Sequence, residues 1–322
     1  MNDWIFDLHC DTALELIDRE GTPRASLRAN QGHIDLTRGS ALDGYCQCFA
    51  LFTTTGMDRD GKLTDEQVFD AMRGNLLRQM EEHGDLVEQV KATGDMERIV
   101  GSGKVAAILT IEGTAGIGFD PERLYALRDQ GFLMTTLGWN EKNPLAGSHK
   151  TGGGLTDLGR EYVRVAQSLG MVMDVSHLSE QAFWNLMDVT NGPVCASHSN
   201  ARVCRGVSRN LTDEQFGAIC ASGGVAGLNL YTDFLGEENV TVETACDHVL
   251  HFLELDPDGS HIALGGDLDG VEELPRGFEG VQSYPALAQR LLERGVDENT
   301  LYNIFWNNAL GVMKRAVCNH TR

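Results

Sequence analysis

The stretch Val105–Glu112, VAAILTIE, is an unbroken apolar run that ends on a carboxylate. Near-continuous apolar strands are typical of a parallel sheet that is buried on both faces. An unpaired carboxylate at the end of such a strand would cost several kcal/mol. The run therefore predicts a central strand of a parallel sheet, with a cation beside Glu112.

Four further runs have the same form, an apolar strand that leads to an imidazole or a carboxylate. They are IFDLHCD (5–11), GMVMDVSH (170–177), PVCASH (193–198) and HIALGGD (261–267). In an α/β barrel the carboxyl ends of the parallel strands meet at one face, where catalytic residues collect. The repeated pattern thus predicts one site. Its six candidate side chains are His9, Asp11, Glu112, His177, His198 and Asp267.

The chain carries eight strand candidates separated by amphipathic segments. The predicted strands are 5–11, 44–52, 105–112, 132–137, 171–177, 193–198, 224–230 and 261–267, and the predicted helices are 64–92, 121–130, 155–169, 179–190, 212–220 and 241–253. Strands that alternate with helices of this length indicate βαβ units and a parallel sheet. Eight strands favour closure into a (β/α)8 TIM-type barrel. After it we expect a loop holding Pro275 and Pro285 and then two additional C-terminal helical segments.

No linker, repeat or low-complexity tract divides residues 1–322, so we expect a single domain. An open doubly wound sheet is the alternative architecture, because GTAGIG (113–118) superficially resembles a nucleotide-binding turn. That turn follows Glu112, whose charge would repel phosphate, and no P-loop Lys-Ser/Thr pair appears. The pattern favours the closed barrel.

Composition excludes several classes of partner. The net charge of −21 would repel nucleic acid and anionic membrane surfaces at long range. No run approaches the roughly 20 apolar residues that a membrane helix needs. The first residues, MNDWIFDLHCDT, have neither the basic start nor the apolar core of a signal peptide, so we expect a cytoplasmic protein.

The eight cysteines are expected to be reduced and mostly buried, as is usual for a long chain without a secretion signal. They are Cys10, Cys46, Cys48, Cys195, Cys204, Cys220, Cys246 and Cys318. Cys46 and Cys48 fall on the same face of a predicted strand, and no second pair follows to complete a structural zinc site.

The spacing of the candidate ligands suits a pair of metal ions. His9 and Asp11 are one residue apart on a strand, so both side chains project to the same side. His177 and His198 are 21 residues apart, the length of one strand–loop–helix–strand unit, which predicts equal heights on adjacent strands. Three imidazoles and three carboxylates suit a divalent ion such as zinc, and a metal pair polarises bonds and generates hydroxide at neutral pH.

Five segments resemble, in this order, the renal (membrane) dipeptidase family of zinc peptidases, in the amidohydrolase superfamily. They are DLHCDT, TIEG, DVSH, ASHSNARVCRGVSRN and GGDLDGV. The resemblance covers essentially the whole chain. It implies that His9 and Asp11 bind one zinc, that His177 and His198 bind a second, and that Glu112 bridges the two. Manganese or cobalt would suit the same ligands.

The resemblance also implies the substrate and the remaining roles. The substrate would be a free dipeptide, with tolerance of a D-residue at its C-terminal position, and a homodimer is suggested. Asp267 would accept and deliver the proton, while Asp269, two residues further on, is assigned to the loop. Arg209 would receive the substrate carboxylate. Because Arg202 and Arg205 lie in the same segment, a surface arginine is the alternative reading of Arg209, and only the resemblance singles it out.

One departure from the family pattern concerns the turn after the fourth strand. Relatives often carry a histidine there that contacts the substrate near the scissile bond, whereas TTLGWNEKNPLAGS (135–148) places Trp139 at that position. The resemblance therefore makes Trp139 a candidate substrate-binding residue. Tryptophan donates one N–H and cannot become cationic. Either Asn140 or His149 substitutes in binding the substrate, or the metal acts unaided. Lys142, in the same turn, is a weak candidate for a carbamylated bridging ligand, because Glu112 already fills that position.

The main hypothesis is a binuclear metal-dependent dipeptidase, in which a hydroxide between the metals attacks the peptide bond. The first alternative is another hydrolase of the same superfamily, acting on a cyclic amide, a lactone or a phosphoester. A carboxylate clamp at Arg209 favours the dipeptide. The second alternative is a catalytically silent binding protein, which the presence of all six metal-site residues disfavours.

Overall fold

The structure, a computed structural model, describes residues 4–57 and 61–318, with side chains up to residue 315. The strands in these ranges are β1 Trp4–Cys10, β2 Gly44–Phe52, β3 Val87–Gln89, β4 Val105–Glu112, β5 Phe132–Thr135, β6 Val172–Asp174, β7 Val194–Ala196, β8 Val225–Leu228 and β9 Ile262–Leu264. Eight of them form a closed parallel ring in the order β2-β1-β9-β8-β7-β6-β5-β4, and β4 pairs back onto β2. The predicted (β/α)8 barrel is confirmed, and the open sheet is excluded.

Helices cover the outside of the barrel. They are α1 Thr12–Glu15, α2 Leu36–Gly39, α3 Asp65–Glu82, α4 Asp95–Gly101, α5 Arg123–Asp129, α6 Asp157–Ser168, α7 Glu180–Met187, α8 Asp213–Ala221, α9 Thr232–Leu235, α10 Val242–Leu255, α11 Tyr284–Glu293, α12 Glu298–Tyr302 and α13 Asn308–Cys318. Single 3-10 turns lie at Ala115–Ile117 and Val281–Ser283, and a π-helical turn at Asn303–Asn307 joins α12 to α13. Thr64 and Thr212 form capping boxes at the starts of α3 and α8, as their sequences predict.

Two predictions about helices were wrong. Residues 64–92 do not form one helix, because α3 ends at Glu82 and β3 pairs with the first residues of β4. Val87 and Val90 are both buried there, so burial against the barrel overrides the helical pattern. Pro285 lies in the first turn of α11 rather than in a loop, a position where its missing N–H costs nothing.

The interior of the barrel is filled from the start of its strands by the C-terminal helical segment. Trp306 packs against Trp4 and Phe6 of β1, with ring centroids 4.9 Å and 5.6 Å away. Cys46 and Cys48, on the same face of β2, belong to this inner cluster. The additional C-terminal helices thus close one end of the barrel and leave the carboxyl ends of the strands open at the other.

The seven cysteines with described side chains are free thiols, as expected. Five of the seven are buried, whereas Cys220 is partly buried and Cys204 is exposed. The side chain of Cys318 lies outside the described part. Among the described residues, no helix is long and apolar enough to cross a membrane.

Candidate metal centre and substrate cavity

The six predicted metal-site side chains come together at the carboxyl ends of the strands, and all six residues are buried. Three of the strands that lead to these residues, β6, β7 and β9, are shorter than predicted, however. His177, His198 and Asp267 lie in loops, past the ends of β6, β7 and β9. His177 (φ 70°) and Asp267 (φ 57°) adopt the left-handed backbone conformation, which non-glycine residues seldom occupy and which breaks the strand geometry at these positions.

The glycines before Asp267 permit a close backbone approach. A Cβ atom on Gly265 would lie 1.6 Å from the carbonyl oxygen of Ser197. The neighbour is therefore the end of β7 rather than a ligand. This contact brings the loop after β9 against the loop that carries His198.

Glu112 lies between the candidate histidine ligands. Its Oε2 atom is 3.1 Å from His9 Nε2. Its Oε1 atom is 2.9 Å from His177 Nε2 and 3.5 Å from His198 Nε2. The two oxygens of one carboxylate thus face two different sets of imidazoles, an arrangement that suits a carboxylate bridging two ions.

Burial shifts the protonation of these side chains. It lowers the pKa of His177 and of His198 well below the usual value, so both imidazoles are neutral, the form that binds metals. Burial also lowers the pKa of His9, but the nearby carboxylates of Glu112 and Asp11 raise it overall. Burial raises the pKa of Glu112 to about 7, and a neighbouring cation would restore its charged form.

The donor set fits a pair of divalent cations. His177 Nε2 and His198 Nε2 point at each other across 3.0 Å. Asp11 Oδ1 is buried without a hydrogen-bond partner among the described residues. His9 Nε2 is also unsatisfied there, because its 3.1 Å contact with Glu112 Oε2 lacks the geometry of a hydrogen bond. Buried polar atoms that converge without partners are costly unless a ligand joins them. Ligand atoms also lie within 4.8 Å of one another in three overlapping groups, which are His9–Asp11–Glu112, Glu112–His177–His198 and His9–His198–Asp267.

Neighbouring polar groups orient the candidate ligands. His177 Nδ1 and His149 Nε2 lie 3.0 Å and 2.7 Å from the same oxygen, Asn140 Oδ1, which accepts from both rings. Burial lowers the pKa of His149 to about 4, so this ring is neutral, and its Nδ1 lies 3.0 Å from Ser208 Oγ. Asn140 therefore supports His177, in addition to lining the cavity.

Asp267 is held by a residue that the sequence analysis did not single out. Asn229 Nδ2 donates to Asp267 Oδ2 over 2.9 Å, and burial raises the pKa of the Asp267 carboxyl. Asp269, assigned to the loop, accepts from Thr12 Oγ1 over 2.7 Å and from the His33 N–H over 2.5 Å. Asp174 and Ser197 were also missed. They lie within the quoted DVSH and ASH segments, but no spacing rule distinguishes a supporting polar residue from an ordinary one.

A cavity of about 1000 Å³ opens over this centre. Glu112, His177 and Asp267 line its floor, and its walls include Trp139, Asn140, His149 and Arg209. Trp139 packs edge-on against Phe52, with ring centroids 5.0 Å apart. The tryptophan therefore contributes an apolar surface at the position where a histidine was expected. Lys142 is exposed and lines no part of this cavity.

Arg209 differs from its two neighbouring arginines. Arg202 and Arg205 form ion pairs with Glu180 and Glu237 near the surface. Arg209 is 4% exposed, and its Nη1 donates to Ser199 Oγ over 2.6 Å. Its Nε and Nη2 atoms are buried without a hydrogen-bond partner in the described ranges. These two nitrogens lie on one edge of the guanidinium group, the edge that binds a carboxylate with two parallel hydrogen bonds.

The chain is similar to several known proteins. The profile described as membrane dipeptidase, peptidase family M19, matches residues 2–322. An uncharacterized dipeptidase of Schizosaccharomyces pombe is 33% identical over 216 residues, 65% of this chain and 53% of that protein. A dipeptidase of Claviceps purpurea is 30% identical over 248 residues, 74% of this chain and 57% of that protein. The chain spans about half the length of these curated relatives.

Two solved structures are similar over nearly their whole length. One is a metallopeptidase from Rhodobacter sphaeroides, crystallised with a phosphinate mimic of the dipeptide L-Ala-D-Ala. It has a TM-score of 0.87 and 25% identity, and the match covers 98% of this chain and 100% of that one. The other, a metallopeptidase named dipeptidase AC, has a TM-score of 0.87 and 26% identity, covering 98% and 99% of the two chains.

Proposed function

The chain belongs to the membrane dipeptidase family, peptidase family M19, and on that basis we propose that it is a metal-dependent dipeptidase that hydrolyses free dipeptides. The single observation that carries the proposal is that one cavity contains both a converging set of metal-ligand atoms and a buried arginine with two unpaired nitrogens. The first feature supports hydrolysis. The second supports a substrate with a free carboxylate.

We assign the candidate ligands to two divalent ions, most simply zinc. His9 and Asp11 would hold one ion, His177 and His198 the other, and Glu112 would bridge them. When bound, such ions polarise the peptide carbonyl and lower the pKa of water to near neutrality. Two observations support this assignment: His177 and His198 are neutral, and the two oxygens of Glu112 face different imidazoles.

Asp267 moves the proton in this proposal. Its Oδ2 atom is held by Asn229, while its Oδ1 atom lies 3.9 Å from His9 Nε2, facing the centre. A carboxyl group with a raised pKa can take a proton from water and then deliver it to the departing amine. We infer that Oδ1 is the atom that carries it.

Arg209 selects the substrate by its carboxylate. The Nε and Nη2 atoms can donate two parallel hydrogen bonds, while Ser199 fixes the third nitrogen. A phosphotriester or a lactone offers no carboxylate for this edge. Trp139 and Phe52 supply an apolar wall of the cavity. Asn140 and His149 supply neutral polar groups to the same cavity. Lys150 also lines the cavity, so side-chain preference on that side would depend on packing against the apolar wall and on this positive charge.

The test is a screen of L-Xaa-L-Xaa and L-Xaa-D-Xaa dipeptides, with metal analysis of the same preparation. The D-series is included because the relative from Rhodobacter sphaeroides binds a mimic of L-Ala-D-Ala. Hydrolysis of free dipeptides together with about two ions per chain would support the proposal. A metal-loaded protein that cleaves lactones or phosphoesters but no dipeptide would favour another hydrolase of the same barrel superfamily. Failure to bind any divalent metal would overturn both.

A further inference from the structure

We propose that Asp174 is a positioning residue for the metal centre, which acts through Ser197 to keep the ring proton of His198 on Nδ1. The inference rests on the proposed function, because it takes His198 to be a metal ligand through Nε2. It concerns two residues that do not themselves reach the cavity. Their role would be to decide which face of the imidazole is free to bind a cation.

The contacts form a short buried chain. Asp174, the last residue of β6, is 1% exposed and accepts hydrogen bonds from the backbone N–H groups of Ser176 and Ser197, each over 3.0 Å. Its Oδ2 atom accepts a third, short hydrogen bond from Ser197 Oγ. Ser197 Oγ is in turn 2.6 Å from His198 Nδ1.

The direction of these hydrogen bonds follows from the carboxylate of Asp174, which is the acceptor at one end of the series. Oδ1 of Asp174 accepts from two backbone N–H groups and Oδ2 accepts from the Ser197 hydroxyl, so the hydroxyl proton of Ser197 points toward Asp174. The oxygen of Ser197 then faces His198 with a lone pair, and it binds Nδ1 only if that nitrogen carries the proton. A neutral imidazole with its proton on Nδ1 has a free lone pair on Nε2. That is the atom directed at Glu112 and His177.

The Nδ1 atom of His177 also has a hydrogen-bond acceptor, but this acceptor is an amide rather than a hydroxyl held by a carboxylate. Its Nδ1 donates to the amide oxygen of Asn140, which is also an acceptor. Partners of this kind commonly fix the tautomer and the ring orientation of metal-binding histidines, and their loss typically lowers metal affinity about 10- to 100-fold. A buried carboxylate is otherwise a costly choice, since it loses the hydration that it has in water. The function of the Ser197–Asp174 pair would explain why the position is not apolar.

Replacing Asp174 with asparagine tests the direction of these hydrogen bonds with little change in the shape of the side chain. In Asp174→Asn an amide NH2 at the Oδ2 position donates to Ser197 Oγ, so the serine proton turns toward His198 Nδ1 and the ring proton moves to Nε2. We expect the affinity for one of two zinc ions to fall about 10- to 100-fold in a chelator competition. In the metal-free protein, the side-chain 15N resonances of His198 should change from the Nδ1–H to the Nε2–H pattern.

Further variants separate this role from a structural one. Ser197→Ala removes the link and should also weaken one zinc, whereas Ser197→Thr keeps the hydroxyl and should restore most of the affinity. Tyr162→Phe is the matched control, since it removes a buried hydroxyl that contacts Thr135 and touches none of the candidate ligands. It should leave zinc affinity and the tautomer unchanged. If Asp174→Asn fails to fold, Ser197→Ala and Ser197→Thr still decide the question.

The outcomes distinguish this inference from the proposed function. Suppose that the wild-type protein binds two ions and cleaves dipeptides, but Asp174→Asn and Ser197→Ala keep wild-type zinc affinity and the Nδ1–H tautomer. The positioning role of Asp174 is then wrong, and the proposed function stands. If the wild type binds no divalent metal, the proposed function fails. In that case the tautomer measured in the metal-free variants still decides whether Asp174 controls the proton on His198.

Discussion

The prediction that most sharply separates a dipeptidase from other hydrolases concerns Arg209. Substitution with methionine keeps much of the side-chain volume and removes the charge. In the structure, Nη1 of Arg209 bonds to Ser199, while Nε and Nη2 have no partner among the described residues. The variant therefore removes the donors available to a substrate carboxylate and one internal hydrogen bond.

The magnitude follows from those two free donors. A hydrogen bond to a charged group contributes about 1.5–3 kcal/mol, so two would give roughly 3–6 kcal/mol. Part of this is offset because the substrate carboxylate loses its hydration when it enters the buried site. A net loss of about 2–4 kcal/mol remains. At about 1.4 kcal/mol per tenfold change, kcat/KM for a free dipeptide should fall roughly 30- to 800-fold.

The assay compares each enzyme on a free dipeptide and on the same dipeptide with an amidated C-terminus. Wild-type protein should use the amide poorly, and Arg209→Met should change that rate far less than it changes the rate on the free dipeptide. Arg209→Lys should recover only part of the loss, because a point charge cannot reproduce two parallel hydrogen bonds. Zinc content should stay at the wild-type value in both variants.

Stability provides the control for misfolding. Burial lowers the pKa of Arg209, which means that the surroundings disfavour its charge in the empty site. The methionine variant should therefore unfold at the same urea concentration as the wild type or at a higher one. Equal wild-type rates on the dipeptide and its amide would refute the carboxylate clamp, and the function would then be that of an unspecified metal-dependent hydrolase.

Three further predictions concern the metals, the proton and acid stability. His177→Ala and His198→Ala should each lose mainly one of two ions in elemental analysis, and retention of both ions in either variant would contradict the assigned ligands. Asp267→Asn should keep its metal, because asparagine tolerates the left-handed backbone at this position. It should lose most of kcat, because an amide cannot carry the proton. Near-normal turnover would assign the proton transfer to another group. His248 is buried, accepts a hydrogen bond from the Ala201 N–H over 3.1 Å, and has its pKa lowered by burial. Below about pH 6.5 the unfolded chain therefore binds a proton that the folded protein does not, and the free energy of unfolding should fall by up to about 1.4 kcal/mol per pH unit. In urea titrations at several pH values, His248→Gln should show a smaller decrease of this free energy with falling pH. An unchanged decrease would mean that other groups cause the acid sensitivity.

The sequence predicted the barrel because its strands are buried on both faces, and burial of that kind leaves a strong apolar pattern. The run Val105–Glu112 has the same bounds in the structure as in the prediction, and all its residues are buried. Val87–Gln89 was missed since a three-residue strand offers too few positions for a period to show. Its pairing with β4 depends on tertiary contacts that the local pattern does not contain.

The site was predictable in composition but not in conformation. The order of residues placed His177, His198 and Asp267 near the ends of three strands of one barrel, and the structure brings them together at its face. The exact positions of these side chains along the barrel axis depend on turns with positive φ at His177 and Asp267. Because neither residue is a glycine, the sequence does not predict those turns. Asn140 and Asn229 support His177 and Asp267 across the barrel face, and a contact between distant segments has no signature in either segment alone.

These strained turns and unpaired atoms have a common physical consequence. Left-handed backbone at non-glycine residues costs of order 1–3 kcal/mol each, and Arg209, His9 and Asp11 add buried polar atoms without partners in the described part of the chain. Such costs are tolerated only where the surrounding structure fixes the geometry, and here the closed barrel does so. Ligands that satisfy those atoms bind the folded state alone and must stabilise it in proportion to the logarithm of their concentration. In the proposed function, the destabilised empty site and the capacity to bind a cation pair and a carboxylate would therefore be the same property of this arrangement.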